Sequence, residues 1–389
     1  MEMNQIYQVV NDATKETLGE SAVVNEDLSN IVDVGEAVFN ARSFDKFVGS
    51  LVDHIGKMIF VNRPYTGSVP SILRDGWEYG AVLQKVSGRL YEATENESWK
   101  LTDGTSYDPN VFYKPDVIDK FFNKRTTWEI PCSFADRQAR SAVSSASQMN
   151  AFLSMIMTDV ENSRTVKIED LVMRTINAMI GSTFYDMNSS GVYTGAGNMR
   201  CVNLLKLYND RYTQSLAAAD CVEDKEFIRF AAYIMMKYKR RLAKISKLFN
   251  MGGQPRFTKQ DRLHTIMHAD FVDAAGVFLQ SDTFHKELVA LPQTETVAYW
   301  QGSGTSYGFS DTSAIDIVIP DDVSGSHPTV TADGILGVMF DHDALGICNE
   351  DQRVTTNYNP KAEFYTNWWK VDTAYFNDHN ENFVVFYAA

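Results

Sequence analysis

Cysteine is scarce in this chain, and its spacing excludes a common class of metal site. The 389 residues include only four cysteines, with no CxxC pair among them: Cys132, Cys201, Cys221 and Cys348. A structural zinc site made from cysteines needs such pairs, so the spacing argues against one. We expect four reduced thiols that are buried as small side chains.

Long apolar runs and an N-terminal export signal are also lacking. No uncharged apolar run reaches the roughly 18 residues that a membrane span requires. The first twenty residues carry several charges and no apolar core, unlike a secretory signal. The sequence therefore predicts a protein that is made in a cytoplasm and makes no membrane contact.

Motifs for nucleotide binding and covalent catalysis are missing as well. Residues 195–197 and 302–304 are rich in glycine, but neither GxGxxG nor GxxxxGK[ST] occurs. No serine or cysteine stands in a nucleophile-elbow context. We therefore predict that the chain is not an enzyme, and we assign no catalytic residue, no metal ligand and no cofactor.

Positive charge is in short supply. The formal net charge is −14 and the pI is near 5.0, so the chain lacks the general basic footprint of a nucleic-acid-binding protein. Self-repulsion opposes non-specific association, and ordered assembly must then depend on shape and apolar contacts. The aromatic content of 12% fits large packed surfaces, including interfaces.

One stretch reverses this charge balance. Residues 227–260 contain no acidic residue but nine basic ones, which are Arg229, Lys237, Lys239, Arg240, Arg241, Lys244, Lys247, Arg256 and Lys259. Apolar residues recur between them at helical spacing, namely Phe230, Ile234, Leu242, Ile245 and Leu248. The pattern favours an amphipathic helix with a solvated or subunit-facing basic side over nucleic-acid readout. The role of the basic helix from Lys237 to Lys247 stays open.

Two histidine-containing groups deserve comparison with known sites. His264 and His268 are four residues apart, a spacing that can chelate a metal on a helix, but Thr265 stands where a zinc protease has its glutamate base. Asp341, His342 and Asp343 follow an expected strand, and a surface turn is the favoured interpretation. A metal-dependent hydrolase built on His264 and His268 remains an alternative function.

The first third of the chain alternates between weak and strong patterns. Residues 1–42 predict an extended arm with little core, and a helix is expected from Ser43 onward. A strand is expected within 77–91, and 127–134 alternate with a period of two. Pro131 removes a hydrogen-bond donor, which places this second strand at a sheet edge. The two strands predict a projecting two-stranded loop.

Helices dominate the next part of the sequence. Apolar residues at steps of three and four predict a long amphipathic helix over 136–162 and a second helix over 166–185, the latter with Ile168, Val172, Ile176 and Met179 on one face. The Gly- and Ser-rich segment 188–197 is the best candidate for a subdomain boundary. Residues 203–248 and 259–279 are also expected to be helical, and short strands are expected at 297–300, 315–319 and 334–340.

The last fifty residues close the sequence with two aromatic and β-branched runs. Residues 363–376 and 383–387 predict a buried hairpin whose polar turn is 377–381. Trp368 and Trp369 point to opposite faces of such a strand, so one is expected in the core. The C-terminus is therefore expected to complete a core formed by earlier elements.

Three segments, in this order, resemble the major capsid proteins of tailed bacteriophages with the Hong Kong 97 fold. The first is FVNRPYTGSVPSILRDGWEYGAVLQKV, at the start of the expected loop. The second is TTWEIPCSFADRQARSAVSSASQMNAFLSMI, a strand that leads into the long helix. The third is the ending, from MFDHDALGI through RVTTNYNPKAEFYTNWWKVDTAYFNDHNENFVVF. The resemblance implies an α+β chain of the Hong Kong 97-like class.

The resemblance also implies a division of the chain and a set of partners. Residues 1–60 would be an N-terminal arm with a short helix, 61–134 an extended loop, 135–190 with 346–389 a peripheral domain, and 191–345 an axial domain. Copies would form hexamers and pentamers of an icosahedral head that encloses double-stranded DNA without sequence-specific contacts. The short N-terminal region implies a separate scaffolding protein, or assembly without one. The resemblance also implies a portal protein and assembly in the host bacterial cytoplasm. A cellular nanocompartment shell of the same fold is a further alternative.

Overall fold

The chain folds into two units, each built from distant parts of the sequence. The computed structural model describes residues 3–19, 72–74, 83–88, 95–135, 146–187, 199–281, 294–300, 313–318 and 329–389, with single residues and short pieces between these ranges. The first unit comprises Met1–Glu78, Arg125–Val172 and Ile347–Ala374. The second comprises Tyr79–Lys124, Met173–Gly346 and Tyr375–Ala389.

The described residues contain helices and strands in mixed order. The α-helices are α1 (Met3–Leu18), α2 (Ala146–Met187), α3 (Leu204–Tyr212), α4 (Lys225–Leu242) and α5 (Ala269–Ser281). The strands of the first half are β1 (Leu73–Arg74), β2 (Leu83–Gly88), β3 (Val117–Phe122), β4 (Arg125–Ala135) and β5 (Cys201–Asn203). Those of the second half are β6 (Leu263–His268), β7 (Glu295–Val297), β8 (Ile315–Val318), β9 (Thr329–Ala332), β10 (Ile335–Asp341), β11 (Leu345–Asn359), β12 (Phe364–Asn377) and β13 (Phe383–Tyr387).

A four-stranded sheet in the order β1-β11-β12-β4 organises the first unit. Strands β12 and β4 pair antiparallel along eleven positions, and Trp368 lies opposite Pro131. Because β4 is an edge strand, the donor that proline lacks is not needed by a further strand, which confirms the predicted edge position. Burial alternates along β12, and Tyr365, Trp369 and Val371 lie in the core.

The N-terminal residues 3–18 are helical, and the prediction of an extended arm over this part is wrong. Ile6, Val10 and Ala13 recur at steps of four and three, which is the spacing of a helix face rather than of scattered apolar groups. Val10 and Ala13 are fully buried in the structure. Gly19, with φ of +99°, ends α1 by donating its N–H to the carbonyl of Lys15. The helix expected from Ser43 lies largely outside the described residues.

Helix α2 is one continuous helix of 42 residues, where the sequence predicted two. No glycine or proline stands between 162 and 166, so the drop in apolar periodicity there does not interrupt the backbone hydrogen bonds. The predicted apolar stripe is confirmed, because Ile168, Val172, Ile176 and Met179 are all fully buried. Residues 136–145 and the expected boundary at 188–197 lie outside the described residues.

A five-stranded sheet in the order β5-β13-β10-β6-β7 forms the centre of the second unit. Strand β13 is parallel to β5 and antiparallel to β10, and all five of its residues are buried. Residues of α3, α4 and α5 pack with β10 and β13 in one apolar cluster. The separate strands β8 and β9 form an antiparallel pair. The strands expected at 315–319 and 334–340 are confirmed, whereas β7 ends at Val297, where the strand expected at 297–300 was to begin.

Two of the predicted helical segments in this unit need correction. The expected helix over 203–248 is replaced by β5, α3 and α4, and α4 ends at Leu242. The expected helix over 259–279 begins as a strand, because β6 occupies Leu263–His268 before α5 starts. Strand β6 lies between β10 and β7. Pairing on both sides overrides the helical spacing of its short apolar run.

The predicted C-terminal hairpin is also wrong, although both of its strands exist. Strand β12 pairs with β11 and β4 in one sheet, whereas β13 pairs with β5 and β10 in the other. The polar segment between them therefore connects two sheets and is not a hairpin turn. The expectation that the C-terminus completes a core is confirmed, since Phe383, Val385 and Tyr387 are buried.

Candidate assembly surfaces

The first surface is the strand pair formed by β2 and β3. Strands β2 and β3 pair antiparallel from Leu83 opposite Phe122 to Gly88 opposite Val117. The predicted two-stranded loop thus exists, but its second strand is β3. The run 127–134, which was expected to be the second strand, belongs to β4 and pairs with β12. Burial alternates along both strands, so that one face of the pair is exposed.

The segment between β2 and β3 carries large apolar side chains in contact with solvent. Trp99 and Phe112 are each 84% exposed, and Leu101 and Tyr113 are each 79% exposed. Val117 and Phe121 extend this surface along β3. Clusters of exposed apolar groups on soluble proteins mark interaction sites, because exposure to water is unfavourable until a partner covers them.

This segment has local structure despite its exposure. The side chain of Asn96 accepts a hydrogen bond from Ser98 N–H at 3.1 Å and begins a short 3-10 helix, Glu97–Lys100. The hydroxyl of Tyr107 accepts from the N–H of Thr102 at 3.2 Å. The backbone thus positions the aromatic groups through turns and polar contacts, without burying them.

A cluster of charged groups holds the base of the strand pair against the segment that precedes β13. Lys85 Nζ lies 2.7 Å from Asp378 Oδ2 and 2.9 Å from Glu381 Oε1. Lys120 Nζ lies 3.0 Å from the other oxygen of Asp378. Arg256 approaches Glu381 at 3.4 Å and donates to Ser87 Oγ at 2.8 Å. Cations from both strands therefore converge on two carboxylates.

Burial makes this cluster sensitive to the loss of any member. The carboxylate of Asp378 is 2% exposed; its burial favours the neutral acid, but Lys85, the Asn380 N–H and Lys120 together lower the pKa of Asp378 below its ordinary value. For Glu381, burial is the largest effect and raises its pKa, although Lys85 and Arg256 oppose it. Asp378, which two lysines contact, therefore stays ionised to a lower pH than Glu381 does.

A second surface is the aromatic groove between α3 and α4. Its volume is about 480 Å³, and its apolar lining comes from Tyr208, Tyr212, Phe230 and Tyr233. The Arg211 guanidinium lies 5.5 Å from the centre of the Tyr212 ring. Tyr212 and Tyr233 are 49% and 55% exposed. The groove therefore combines a packed aromatic floor with an open rim.

The basic stretch lies at the other end of α4. Phe230, Ile234 and Leu242 are buried, as the amphipathic pattern predicts. Because α4 ends at Leu242, Ile245 and Leu248 leave the buried face, and each is 52% exposed. Five exposed cations belong to the same stretch of sequence, namely Lys237, Arg240, Arg241, Lys244 and Lys247.

The two histidines of the proposed metal site lie on β6 and not on a helix. Four residues of strand separate their Cα atoms by about 13 Å, which is too far for a helical type of chelate. His264 Nε2 instead lies 2.9 Å from His342 Nδ1, while the buried His268 packs edge-on against Phe309. Among the residues that the structure describes, no group of three or more His, Cys, Asp or Glu side chains could hold a metal ion.

Asp341, His342 and Asp343 form a turn between β10 and β11. The N–H of Asp343 donates to Asp341 Oδ1 at 2.9 Å, and the carboxylate of Asp343 lies 2.5 Å from Arg262. Other contacts of this turn are with distant parts of the chain: the N–H of His342 donates to the carbonyl of Arg262 at 2.8 Å, and the N–H of the buried Asp341 donates to the carbonyl of Asn382 at 3.0 Å. The expectation of a surface turn with local hydrogen bonds therefore holds only for the contact between Asp343 and Asp341. In β12, Trp369 is fully buried and Trp368 is half-buried, so the predicted opposite faces are confirmed.

The four cysteines are free thiols, and Cys201, Cys221 and Cys348 are buried. Burial raises the pKa of Cys201 far above its ordinary value and that of Cys221 to about 12. Cys132 is only half-buried, which is a partial departure from the prediction. In the described part of the chain, no helix has the length and apolar character needed to cross a membrane.

Comparison with known proteins decides between the functions that these surfaces allow. The family model of the Phi29-like phage major capsid protein matches residues 8–387. The chain belongs to this family. The mixed helix and strand architecture and the family together confirm the predicted Hong Kong 97-like fold class and the identification as a tailed-phage major capsid protein.

Solved phage structures are similar to this capsid protein at low identity. The capsid structure of Staphylococcus phage Andhra contains a chain with 10% identity and a TM-score of 0.48, covering 82% of this chain and 83% of the other. The capsid structure of Cyanophage P-SCSP1u contains one with 9% identity and a TM-score of 0.45, covering 85% and 90%. No curated protein sequence matches.

The capsid protein is thus a structural component of a phage shell, and the hydrolase and nanocompartment alternatives are not favoured. The sequence prediction missed two features of its surfaces. The charged cluster joins Lys85 to residues 293 and 296 positions away, and no local pattern signals such a contact. The exposed aromatics had a readable signal, since Trp99, Phe112 and Tyr113 stand in a polar segment without helical or strand periodicity.

Proposed function

We propose that this capsid protein forms hexameric and pentameric rings, and that the strand pair β2–β3 lies over a neighbouring copy in each ring. The single observation that carries this proposal is the exposed apolar surface of residues 99–121. An acidic chain in solution has no reason to retain such a surface unless a partner covers it. A neighbouring copy is always present in a shell.

The charged cluster at the base of the strand pair supports the same arrangement. A projecting segment positions a docking surface only if its base is fixed, and Lys85 and Lys120 fix it through nearly buried carboxylates. One copy can then contact several neighbours through modest interfaces, because effective concentration increases the overall affinity. Flexible turns within the segment accommodate the different environments of five-membered and six-membered rings.

The division of the chain follows from these roles. We assign residues 1–60 to an N-terminal arm with a short helix and 61–134 to an extended loop, except that β4 joins β11 and β12 in the peripheral sheet. Residues 135–190 belong to the peripheral domain and 191–345 to an axial domain. The proposed peripheral range 346–389 is divided by strand pairing, because β13 lies between β5 and β10. We therefore assign the final strand to the axial sheet and β11 and β12 to the peripheral sheet.

Further partners complete the proposal. Because the net charge of the chain is −14, the shell would not attract double-stranded DNA or make sequence-specific contacts with it. A portal-associated motor would therefore drive packaging. A separate scaffolding protein would guide assembly, which would occur in the host bacterial cytoplasm. The structural role makes an enzymatic activity unnecessary.

A pair of variants tests the role of the projecting segment. Trp99→Ser with Phe112→Ser should abolish closed shells in negative-stain images but leave the thermal unfolding temperature within about 2 °C, because these side chains are exposed in the single chain. Thr102→Ser, a mild change on the same segment, serves as the control and should assemble like the wild type. Normal shells from the double variant would refute the proposed docking role.

A further inference from the structure

The strand pair β2–β3 places two positive charges directly opposite each other. In the antiparallel pairing of the two strands, Lys85 is the partner of Lys120. Both lysines are half-buried, whereas their neighbours along the strands are exposed, so the two ammonium groups share the inner face of the pair. Like charges at directly opposite positions destabilise a strand pair. The pairing of β2 with β3 is therefore unfavourable at this position unless an anion compensates both lysines.

Asp378 is that anion, and it contacts one lysine with each of its two oxygens. Lys85 Nζ lies 2.7 Å from Oδ2, and Lys120 Nζ lies 3.0 Å from Oδ1. The carboxylate has little freedom to turn, because Oδ1 also accepts the N–H of Asn380 at 3.0 Å and the N–H of Asp378 donates to the carbonyl of Ala344 at 2.7 Å. A carboxylate fixed in this way contacts both strands at one cross-strand position.

The connection between the two strands does not determine their register. A hairpin usually obtains its register from a short turn. Here residues 89–116 join β2 to β3, and a connection of that length favours no register over its neighbours. On the outer face, Gln84 Nε2 donates to Asp119 Oδ2 at 2.7 Å, but this contact is exposed and contributes little. Contacts on the inner face must therefore determine the register.

A shift in register would remove a lysine from Asp378. A slip by one residue would turn Lys120 to the opposite face of the pair. A slip by two residues would keep its face but would move its Cα by about 7 Å along the strand, away from a carboxylate that cannot follow. Phe122 packs on Phe376 with ring centres 5.3 Å apart and supports the same register, but apolar contact is not directional. The native register gives each lysine its own oxygen of Asp378.

We propose that Asp378 is a positioning residue that sets the register of β2 against β3. Lys85 anchors β2, because its Nζ also lies 2.9 Å from Glu381 Oε1 and donates to the carbonyl of Asp343 at 3.2 Å. Lys120 then aligns β3 with β2 through the other oxygen of Asp378. One carboxylate thereby compensates the charge of the two lysines and aligns the strands that carry them.

The register matters for assembly because the exposed aromatic groups lie between the two strands in the sequence. Trp99 and Phe112 belong to the segment that leaves β2 at Gly88 and enters β3 at Val117. A slip by two residues would displace one end of this segment by about 7 Å relative to the other. The register role concerns the single chain, whereas its consequence for shells rests on the proposed function.

Disulfide trapping in the full-length chain measures the register directly. Val86 and Asp119 are cross-strand partners with exposed side chains, so Val86→Cys with Asp119→Cys reports the native register. Val86→Cys with Val117→Cys, or with Phe121→Cys, reports a slip by two residues in either direction, because these positions are diagonal in the native pairing. Every variant also carries Cys132→Ser, since the other three native cysteines are buried. Mass spectrometry after mild oxidation with diamide gives the yield of each disulfide.

Removal of one lysine should loosen the register without freeing β2. In Lys120→Met, the yield of the slipped disulfides should rise at least roughly threefold at the expense of the native one, because Lys85 alone still contacts Asp378. Lys120→Arg, which keeps a cation of similar reach, should restore the wild-type pattern. Lys114→Met changes an exposed lysine of the same segment and should leave the pattern unchanged. The yield of closed shells in negative-stain images should fall in Lys120→Met by a similar factor.

A second variant tests the charge repulsion independently. In Asp378→Asn the amide cannot compensate both lysines, so hydrogen exchange at the amides of β2 and β3 should accelerate at least roughly tenfold, with β8 and β9 as the reference pair. Addition of Lys120→Met should slow this exchange again, because it removes the repulsion. If Asp378 only contributed contacts, the added substitution would make the exchange faster. Should Asp378→Asn fail to fold, the disulfide pattern of Lys120→Met decides alone.

Two results would overturn the inference. The first is a disulfide pattern in Lys120→Met identical to that of the wild type, and the second is faster exchange when Lys120→Met is added to Asp378→Asn. A shifted register with a normal yield of shells would overturn the link between register and docking. If the wild-type chain formed no shells although its register was native, the proposed function would fail while the register role stood, so the two failures are distinguishable.

Discussion

The ammonium group of Lys85 lies 2.7 Å from the carboxylate of Asp378, although 293 positions separate the two residues in the sequence. This ion pair connects β2 with the segment that leads into β13. Strand β13 is the last strand of the chain and lies between β5 and β10 in the five-stranded sheet. The carboxylate is almost fully buried, and Lys120 occupies its other oxygen. The position of the strand pair β2–β3 therefore depends on polar contacts in a low-dielectric site.

Replacement of Lys85 by methionine should weaken the base of the strand pair. The change leaves Asp378 and Glu381 with one cationic partner fewer in a buried site, and we expect a loss of roughly 3 kcal/mol in the free energy of unfolding. Hydrogen exchange at the amides of β2 and β3 should accelerate more than exchange in β10. Lys114→Met, which alters an exposed lysine of the same segment, should change neither quantity; equal exchange in both variants would contradict the role of Lys85.

The same cluster predicts a dependence of stability on acid. Because the pKa of Asp378 is lowered on folding, its contribution is complete above the ordinary value of 3.8 and is lost as the pH falls through the lowered value. Glu381 behaves in the opposite way: its pKa is raised on folding, so its ionisation costs stability above that raised value, and protonation relieves the cost. When the midpoint of urea unfolding is measured as a function of pH, Asp378→Asn should reduce the fall of that midpoint at acidic pH. A fall identical to that of the wild type would exclude Asp378 as its source.

The two neighbouring tryptophans of β12 should differ in their contribution to stability. Trp369 is fully buried, so Trp369→Ala should cost roughly 3–5 kcal/mol through lost burial and the cavity that remains. Trp368 is only half-buried, and Trp368→Ala should cost roughly half as much. Urea unfolding of the two variants measures both costs, and equal values would show that the alternation along β12 does not determine its energetics.

Gly334 should be sensitive to the addition of a single methyl group. Its φ is +67°, and a Cβ there would lie 1.9 Å from the carbonyl oxygen of Ala388. We expect Gly334→Ala to cost at least roughly 1–3 kcal/mol, because it combines an unfavourable backbone conformation with a clash at the C-terminal strand. Gly88→Ala is the matched control, since nothing lies within 4 Å of its Cβ position. A thermal unfolding temperature unchanged in Gly334→Ala would contradict the close packing of the C-terminus.

The sequence predicted elements that depend on local periodicity and failed where distant pairing decides. The buried stripe of α2 follows from the steps between Ile168, Val172 and Met179, and the edge position of β4 follows from Pro131 alone. Strand β6 could not be recognised, because its pairing partners β10 and β7 override a spacing that also fits a helix. Strand β13 was predicted from its sequence, but its pairing was not. Its partner β5 lies about 180 positions earlier in the chain, and a hairpin pattern indicates pairing only between neighbouring strands.

The assembly surfaces show the same division. The basic stretch after Phe227 was visible as a charge pattern, yet the exposure of Ile245 and Leu248 depends on where α4 ends. The His264 and His268 spacing suggested a metal site only while a helix was assumed, and strand geometry separates them. The family resemblance rested on the order of segments, which survives errors in the pairing of individual strands.

A reconstruction of the assembled shell by electron cryomicroscopy tests the central claim most directly. The quantity to measure is the exposure of Trp99 and Phe112, which is 84% for each in the single chain. The account predicts that both side chains are buried against a neighbouring copy in five-membered and six-membered rings alike. Shells in which both remain exposed to solvent would contradict it.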